Sequence, residues 1–251
     1  MEITVVGSGT GVPTLRRGSP GTVIRVGSST LLLDSGSGTL QRMLRANIDY
    51  REVDYLLYSH FHPDHTADFV PFLFASNYGS DDKRAGELKV IGPVGTHQFY
   101  EGLKAVFGRW IEPQHYTLTL LEIAEEEIAF PDFSLQGFHL VHSENSLGFR
   151  VTSRDKTTVA YSGDTDFCPN LITLGRDVDL LILECSFPDG RKVDGHLTPS
   201  FAGRVAREAG CKRLLLTHLY PPCDDEDIVT VVKGQFSGEV TLAEDLMKIV
   251  L

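Results

Sequence analysis

Ser59-His60-Phe61-His62-Pro63-Asp64-His65 follows directly on the apolar run Asp54-Tyr55-Leu56-Leu57-Tyr58. The run reads as a buried strand, so the seven residues form the loop at its C-terminal end. Three imidazoles and a carboxylate within so short a stretch are the ligand types that suit zinc, iron or manganese, and open catalytic sites take two or three of them plus water. His60 and His62 can point the same way, and Asp64 and His65 turn back toward a second ion. The competing reading is a polar loop in which histidines cluster by chance, and the density of the motif weighs against it.

Four residues do not complete two sites, so further ligands must come from elsewhere. Three later polar residues each close a strand-like run: His142 after 138–141, Asp164 after 159–163 and His218 after 214–217. Each would leave its strand at the sheet edge where His60 emerges. Taken singly, each also reads as a loop histidine or a turn aspartate. A faint half-to-half echo, an apolar strand followed by a histidine loop, links 56–65 with 214–218.

Short runs rich in Val, Ile, Leu and Thr predict strands at 3–6, 21–26, 30–33, 55–58, 88–91, 117–123, 133–141, 146–152, 157–161, 180–183 and 213–216, with closing strands at 240–243 and 247–251. Helical periodicity predicts helices at 39–46, 66–77, 95–107, 198–209 and 225–232. The helix at 198–209 is the best delimited, with Thr198 at the N-cap, Pro199 in the first turn and Gly210 beyond the last. Strands in hairpins with helices between them predict an α+β (α/β) chain of two sheets packed face to face with helices outside.

At 251 residues, 41% of them hydrophobic, the chain is long enough for one large domain or two closely packed halves, and one domain over 1–251 is expected. Met1 leads straight into a strand-like run rather than a signal peptide, and no apolar run approaches the roughly 20 residues of a membrane span. These features predict a cytoplasmic protein with no membrane partner. Cys168, Cys185, Cys211 and Cys223 are irregularly spaced and read as ordinary thiols. The net charge of −11 argues against a general nucleic-acid binder, whose affinity rests on basic residues meeting phosphates. A small anionic substrate stays open, because two bound dications would reverse the local field.

Beyond the first cluster, several motifs stand together: Gly7-Ser8-Gly9-Thr10-Gly11-Val12-Pro13, Asp34-Ser35-Gly36-Ser37-Gly38-Thr39, Ser162-Gly163-Asp164-Thr165, His196-Leu197-Thr198 and Leu216-Thr217-His218. With His-x-His-x-Asp-His before them, the chain resembles the metallo-β-lactamase superfamily nearly end to end, and within it the ribonuclease Z-like branch of phosphodiesterases. The resemblance implies a four-layer αββα sandwich with its site along one edge of the sheets. It implies two divalent metal ions, zinc foremost with manganese or iron as alternatives. His60, His62 and His142 would hold one, Asp64, His65 and His218 the other, and Asp164 would bridge. Asp34 would support the histidine loop through hydrogen bonds without touching metal. A hydroxide bridging the metals would attack phosphorus, Asp64 would accept the water's proton, and His196 would donate to the leaving oxygen. A homodimer is also implied.

The departures from that branch matter as much. Its long arm for transfer RNA belongs between the positions of His142 and Asp164, which here are 22 residues apart (164 − 142). The arm is absent, and Leu219-Tyr220-Pro221-Pro222-Cys223 replaces the branch's Arg-Tyr ending. A small or cyclic phosphodiester is therefore the expected substrate, with transfer-RNA 3′ processing, and RNA as partner, the secondary reading. Thioester, lactone and aryl sulfate hydrolysis compete within the superfamily. A nucleotide-cofactor loop at Gly7 is disfavoured, since Val12 stands where the dinucleotide fingerprint wants glycine. A non-catalytic metal-binding regulator is disfavoured by the full ligand set plus His196. Substrate choice is expected to lie in 78–86 and 107–111, overhanging the site, with Arg109 or Arg150 meeting phosphate or else serving in surface ion pairs.

Overall fold

A computed structural model of the chain describes residues 1–79 and 83–251. The first sheet carries β1 (Glu2–Gly7), β2 (Gly21–Val26), β3 (Ser29–Leu33), β4 (Tyr55–Leu57), β5 (Glu87–Gly92) and β6 (Thr117–Glu122). The second carries β7 (Glu127–Ala129), β8 (Phe133–His139), β9 (Leu147–Ser153), β10 (Thr158–Tyr161), β11 (Leu180–Glu184), β12 (Arg213–Thr217) and β13 (Glu239–Leu242). A last strand, β14 (Lys248–Val250), returns to pair with β1, so the orders are β14-β1-β2-β3-β4-β5-β6 and β13-β12-β11-β10-β9-β8-β7.

The helices lie outside the sheets: α1 (Thr39–Arg45), α2 (Pro63–Thr66), α3 (Phe69–Tyr78), α4 (Thr96–Phe107), α5 (Pro169–Leu174), α6 (Pro199–Ala209) and α7 (Ile228–Lys233). Alternation along the strands explains the layering. Leu31 and Leu33 of β3 face Val159, Tyr161, Leu180 and Ile182 in the core between the sheets. Leu32, between them, joins Met43, Phe69 and Phe72 under the helices of the first sheet. Leu181 and Leu183 of β11 join Ala202, Val205 and Ala206 of α6 on the other side. Strands covered on both faces read as unbroken apolar runs, as Leu180-Leu181-Ile182-Leu183 does. Each fully buried aliphatic side chain contributes about 1.5–3 kcal/mol, so three such interfaces hold four layers together.

Both sheets repeat one pattern. From β14 and from β7 alike, three antiparallel pairings are followed by three parallel ones. The pattern sets β3 beside β10 and β4 beside β11 as counterparts. The echo expected between 56–65 and 214–218 is thus displaced, because the counterpart of β4 is β11 and not β12.

The candidate metal centre

The site lies where strand ends meet. β4 stops at Leu57, and Asp34 N donates to Leu57 O while Tyr58 N donates to Ile91 O, so the pairing carries on to Tyr58 before the chain bends at Ser59 and delivers His60. Pro63 then opens α2 at a position where the missing N–H costs nothing. The predicted helix over 66–77 therefore begins earlier and is split in two. The break at Ala67 and Asp68 has a local cause, since Asp68 N donates to Ser35 O and not into the helix ladder, while its carboxylate accepts from Gly38 N and Leu40 N and caps α1.

The sequence-predicted donors converge into overlapping groups: His60, His62, His142 and Asp164; Asp64, His65 and His218; and Asp164, His196 and His218. In each group one donor atom per residue lies within 4.8 Å of all the others. Asp164 joins the groups: Oδ2 lies 3.6 Å from His142 Nε2 and 3.9 Å from His60 Nε2. Its Oδ1 lies 3.3 Å from His65 Nε2 and 3.2 Å from His218 Nε2. Asp64 Oδ2 stands 3.6 Å from His218 Nε2 and is held by Gly11 N at 3.0 Å.

Hydrogen bonds behind the rings decide which nitrogen faces inward. Asp34 Oδ2 and Gly195 O can only accept, so His65 and His142 donate from Nδ1, at 2.8 and 2.9 Å. Ser59 Oγ donates to Asp34 Oδ2 and must accept from His60 Nδ1 at 3.0 Å. Ser186 Oγ donates to Glu184 Oε2 and accepts from His218 Nδ1 at 2.9 Å. Four rings therefore turn Nε2 into the cluster: that of His142 meets His62 Nδ1 at 3.1 Å, and those of His65 and His218 face each other at 3.4 Å, a crowding of acceptors that positive charge between them relieves. His60 Nε2 and Asp164 Oδ1 are buried with no hydrogen-bond partner among the described residues. Orphaned, buried donors of imidazole and carboxylate type fit divalent cations.

The electrostatics agree. Burial and the neighbouring His65 push His60 well below its ordinary pKa. Burial works against ionisation of Asp164, yet His218 and His65 outweigh it and hold the carboxyl well below its usual range. At His65 burial is likewise overcome, by Asp164 and Asp34, and the ring is lifted well above its ordinary value. The site demands positive charge, which a proton or a cation can meet.

Asp34 is fully buried and performs the supporting role expected of it. Ser59 N, Ser59 Oγ, His65 Nδ1 and Tyr161 OH all donate to its carboxylate. It adopts φ 56°, and His218 φ 55°, a left-handed backbone rare for residues with side chains.

His196 stands on the far side, its ring 4.8 Å from that of His142 and nearly parallel to that of His218 at 5.7 Å. Burial disfavours its charge, but Glu184 at 3.0 Å outweighs that and raises its pKa. Glu184, missed in the sequence reading, is fully buried and also accepts from Thr165 N, Leu197 N and Ser186 Oγ. Its signal was a carboxylate closing an otherwise apolar strand.

Part of 78–86, expected to shape substrate choice, lies outside the described residues. Other expectations fail. Trp110 does not overhang the site; it packs beside Phe74 and Tyr78 and lines an apolar cavity of about 580 Å³ with Val70, Pro71, Phe107 and Ile111, none of them a donor above. The Arg109 guanidinium lies over the Trp110 ring. Arg150 makes no ion pair among the described residues; its guanidinium binds the Thr173 and Leu174 carbonyls. Thr198 precedes α6 as expected but caps it without a side-chain bond.

Two sheets back to back, helices outside and a His/Asp cluster at the strand ends define a metal-dependent hydrolase of the αββα sandwich type. The chain belongs to the beta-lactamase superfamily, whose domain model matches residues 29–219. It is 29% identical over 248 residues to the probable metallo-hydrolase YhfI of Bacillus subtilis, covering 97% of each chain. The crystal structure of that relative superposes with a TM-score of 0.84 at 28% identity, covering 99% of this chain and 98% of that one. Ribonuclease Z of Streptomyces avermitilis is 27% identical over 299 residues, covering 99% of this chain and 97% of its own. The short form of human tRNase Z superposes with a TM-score of 0.79 at 25% identity, over 100% and 99% of the two chains. No helix among the described residues is long and apolar enough to cross a membrane.

Proposed function

We propose that this hydrolase is a phosphodiesterase that holds two divalent cations and acts on a small or cyclic phosphodiester. The observation that carries the reading is Asp164, whose two oxygens face separate groups of donors. His60, His62 and His142 would hold one cation, Asp64, His65 and His218 the other, and Asp164 would serve both. Imidazole and carboxylate donors suit zinc, with manganese or iron as alternatives. Bound cations of this kind lower the pKa of water toward neutrality and neutralise charge growing on a phosphoryl group.

The chain's own residues complete the chemistry. Asp64, oriented by Gly11 N, accepts the proton of the attacking water. Glu184 holds His196 by Nδ1, which leaves Nε2 to donate a proton to the departing oxygen. The positive charge that His196 carries before it donates is stabilised by that same carboxylate. A small substrate is favoured because His142 and Asp164 are joined only by β9 and β10, with no arm between them. The overall acidity argues the same way. The relatives named ribonuclease Z and tRNase Z favour transfer-RNA processing as the second reading.

A hydrolysis panel on the metal-loaded protein separates these: cyclic nucleotides, bis-p-nitrophenyl phosphate, precursor transfer RNA, a thioester, a lactone and an aryl sulfate. The cyclic nucleotides and bis-p-nitrophenyl phosphate should turn over fastest and in proportion to metal occupancy. Faster cleavage of precursor transfer RNA, or of a non-phosphate ester, would replace the substrate class proposed.

A further inference from the structure

We infer that the cavity beside His60 and His62 receives a neutral, hydroxyl-bearing sugar ring of the substrate, and that Glu144 reads its hydroxyl groups. The inference rests on the phosphodiesterase reading for the reaction that follows binding.

The cavity measures about 270 Å³. Pockets that enclose drug-sized ligands span roughly 300–1,000 Å³, so this one suits a single ring with its substituents. His60 and His62 form one wall, which places any occupant next to the metal donors. Phe61 and Pro93 supply apolar surface, and Ser143, Glu144 and Asn145 supply the polar edge. That division matches a furanose or pyranose, which offers C–H faces to rings and hydroxyls to acceptors.

The polar edge is built rather than loose. Asn145 Nδ2 donates to Val94 O at 3.1 Å and ties this loop to the end of β5. Ser143 N donates to Ser146 Oγ at 2.9 Å, and the two serine hydroxyls meet at 2.7 Å. Glu144 alone of the three has no hydrogen bond or ion pair among the described residues, and it is exposed at the cavity. Asp34, Asp64, Asp166 and Glu184, by contrast, all accept hydrogen bonds from the protein. A free carboxylate only accepts, so its partner must donate. It would repel a second anionic group on this side of the centre and welcome a hydroxyl. Dinucleotide-binding folds read a ribose hydroxyl with a carboxylate in the same way.

The metal-loaded protein is assayed on 3′,5′-cyclic AMP and its 2′-deoxy analogue, and adenosine and 2′-deoxyadenosine are titrated calorimetrically. Wild type should favour the ribo form about 10-fold or more, the scale of a hydrogen bond to a charged group. Glu144→Ala should abolish the preference, and Glu144→Gln, which keeps an acceptor oxygen, should retain part of it. Metal content and thermal melting should match wild type in both, since the residue is exposed. If neither cyclic nucleotide is cleaved but adenosine still binds better than its deoxy form through Glu144, the reaction assigned above falls and the sugar subsite stands. Equal handling of ribo and deoxy forms by wild type, or a preference that survives Glu144→Ala, overturns the inference.

Discussion

Asp34 touches four donors yet contributes nothing directly to the cluster of inward-facing nitrogens, and its removal separates support from ligation. Asp34→Ala should weaken metal affinity roughly 10- to 100-fold, measured by competition with a chelating dye. His196→Ala should instead leave metal content intact and lower kcat by about 10²–10⁴, the range of general acid catalysis. Glu184→Gln should follow it with a smaller loss, because the ring keeps its place without the charge. The donors themselves were legible because their residue types are rare and their spacing at 60–65 is dense. Glu184 was not, because one carboxylate ending a hydrophobic strand carries no sign of the ring it will meet. His196 lies only 12 positions further along, but the contact is made by folding of the loop between them.

At the scale of elements, the long, doubly buried strands were read almost to the residue. Short pieces were not: β7 holds a single large apolar residue, Ile128, and α5 is only 6 residues long. Neither carries a period that local pattern can reveal. The pairing of β10 with β11 positions both Asp164 and Glu184, and it is clamped at its start by Asp179, which accepts from Thr158 N at 2.7 Å and from Lys212 Nζ at 2.7 Å. The Lys212 bond leads in holding the Asp179 carboxyl below its ordinary pKa, despite some opposing burial. A depressed folded-state value means the contribution is present above the unfolded pKa near 3.9 and fades as pH falls through the folded one. Asp179→Asn should therefore lower denaturant stability fully at pH 7, with the gap to wild type closing below about pH 4. At the other end of β10, Gly163 turns with φ 58°, and an added Cβ would lie 2.5 Å from Ser59 Cβ. Gly163→Ala should cost about 1–3 kcal/mol by urea titration and should also disturb Asp164 beside it.

Across the whole molecule, the sandwich followed from the order of strands and helices, but the matched pairing pattern of the two sheets did not. It exists only as topology, where Asp34 after β3 and Asp164 after β10 occupy corresponding ends. One carboxylate now joins these halves: Asp34 Oδ2 takes Tyr161 OH from the second sheet and His65 Nδ1 from the loop of the first. A creep of one sheet against the other must pull on that junction before it disturbs the strands. In the metal-loaded protein, gentle warming should then release metal ahead of melting, so that a chromogenic chelator in the cuvette colours several degrees before ellipticity falls. The grip on metal would act as a strain gauge for the seam between the sheets.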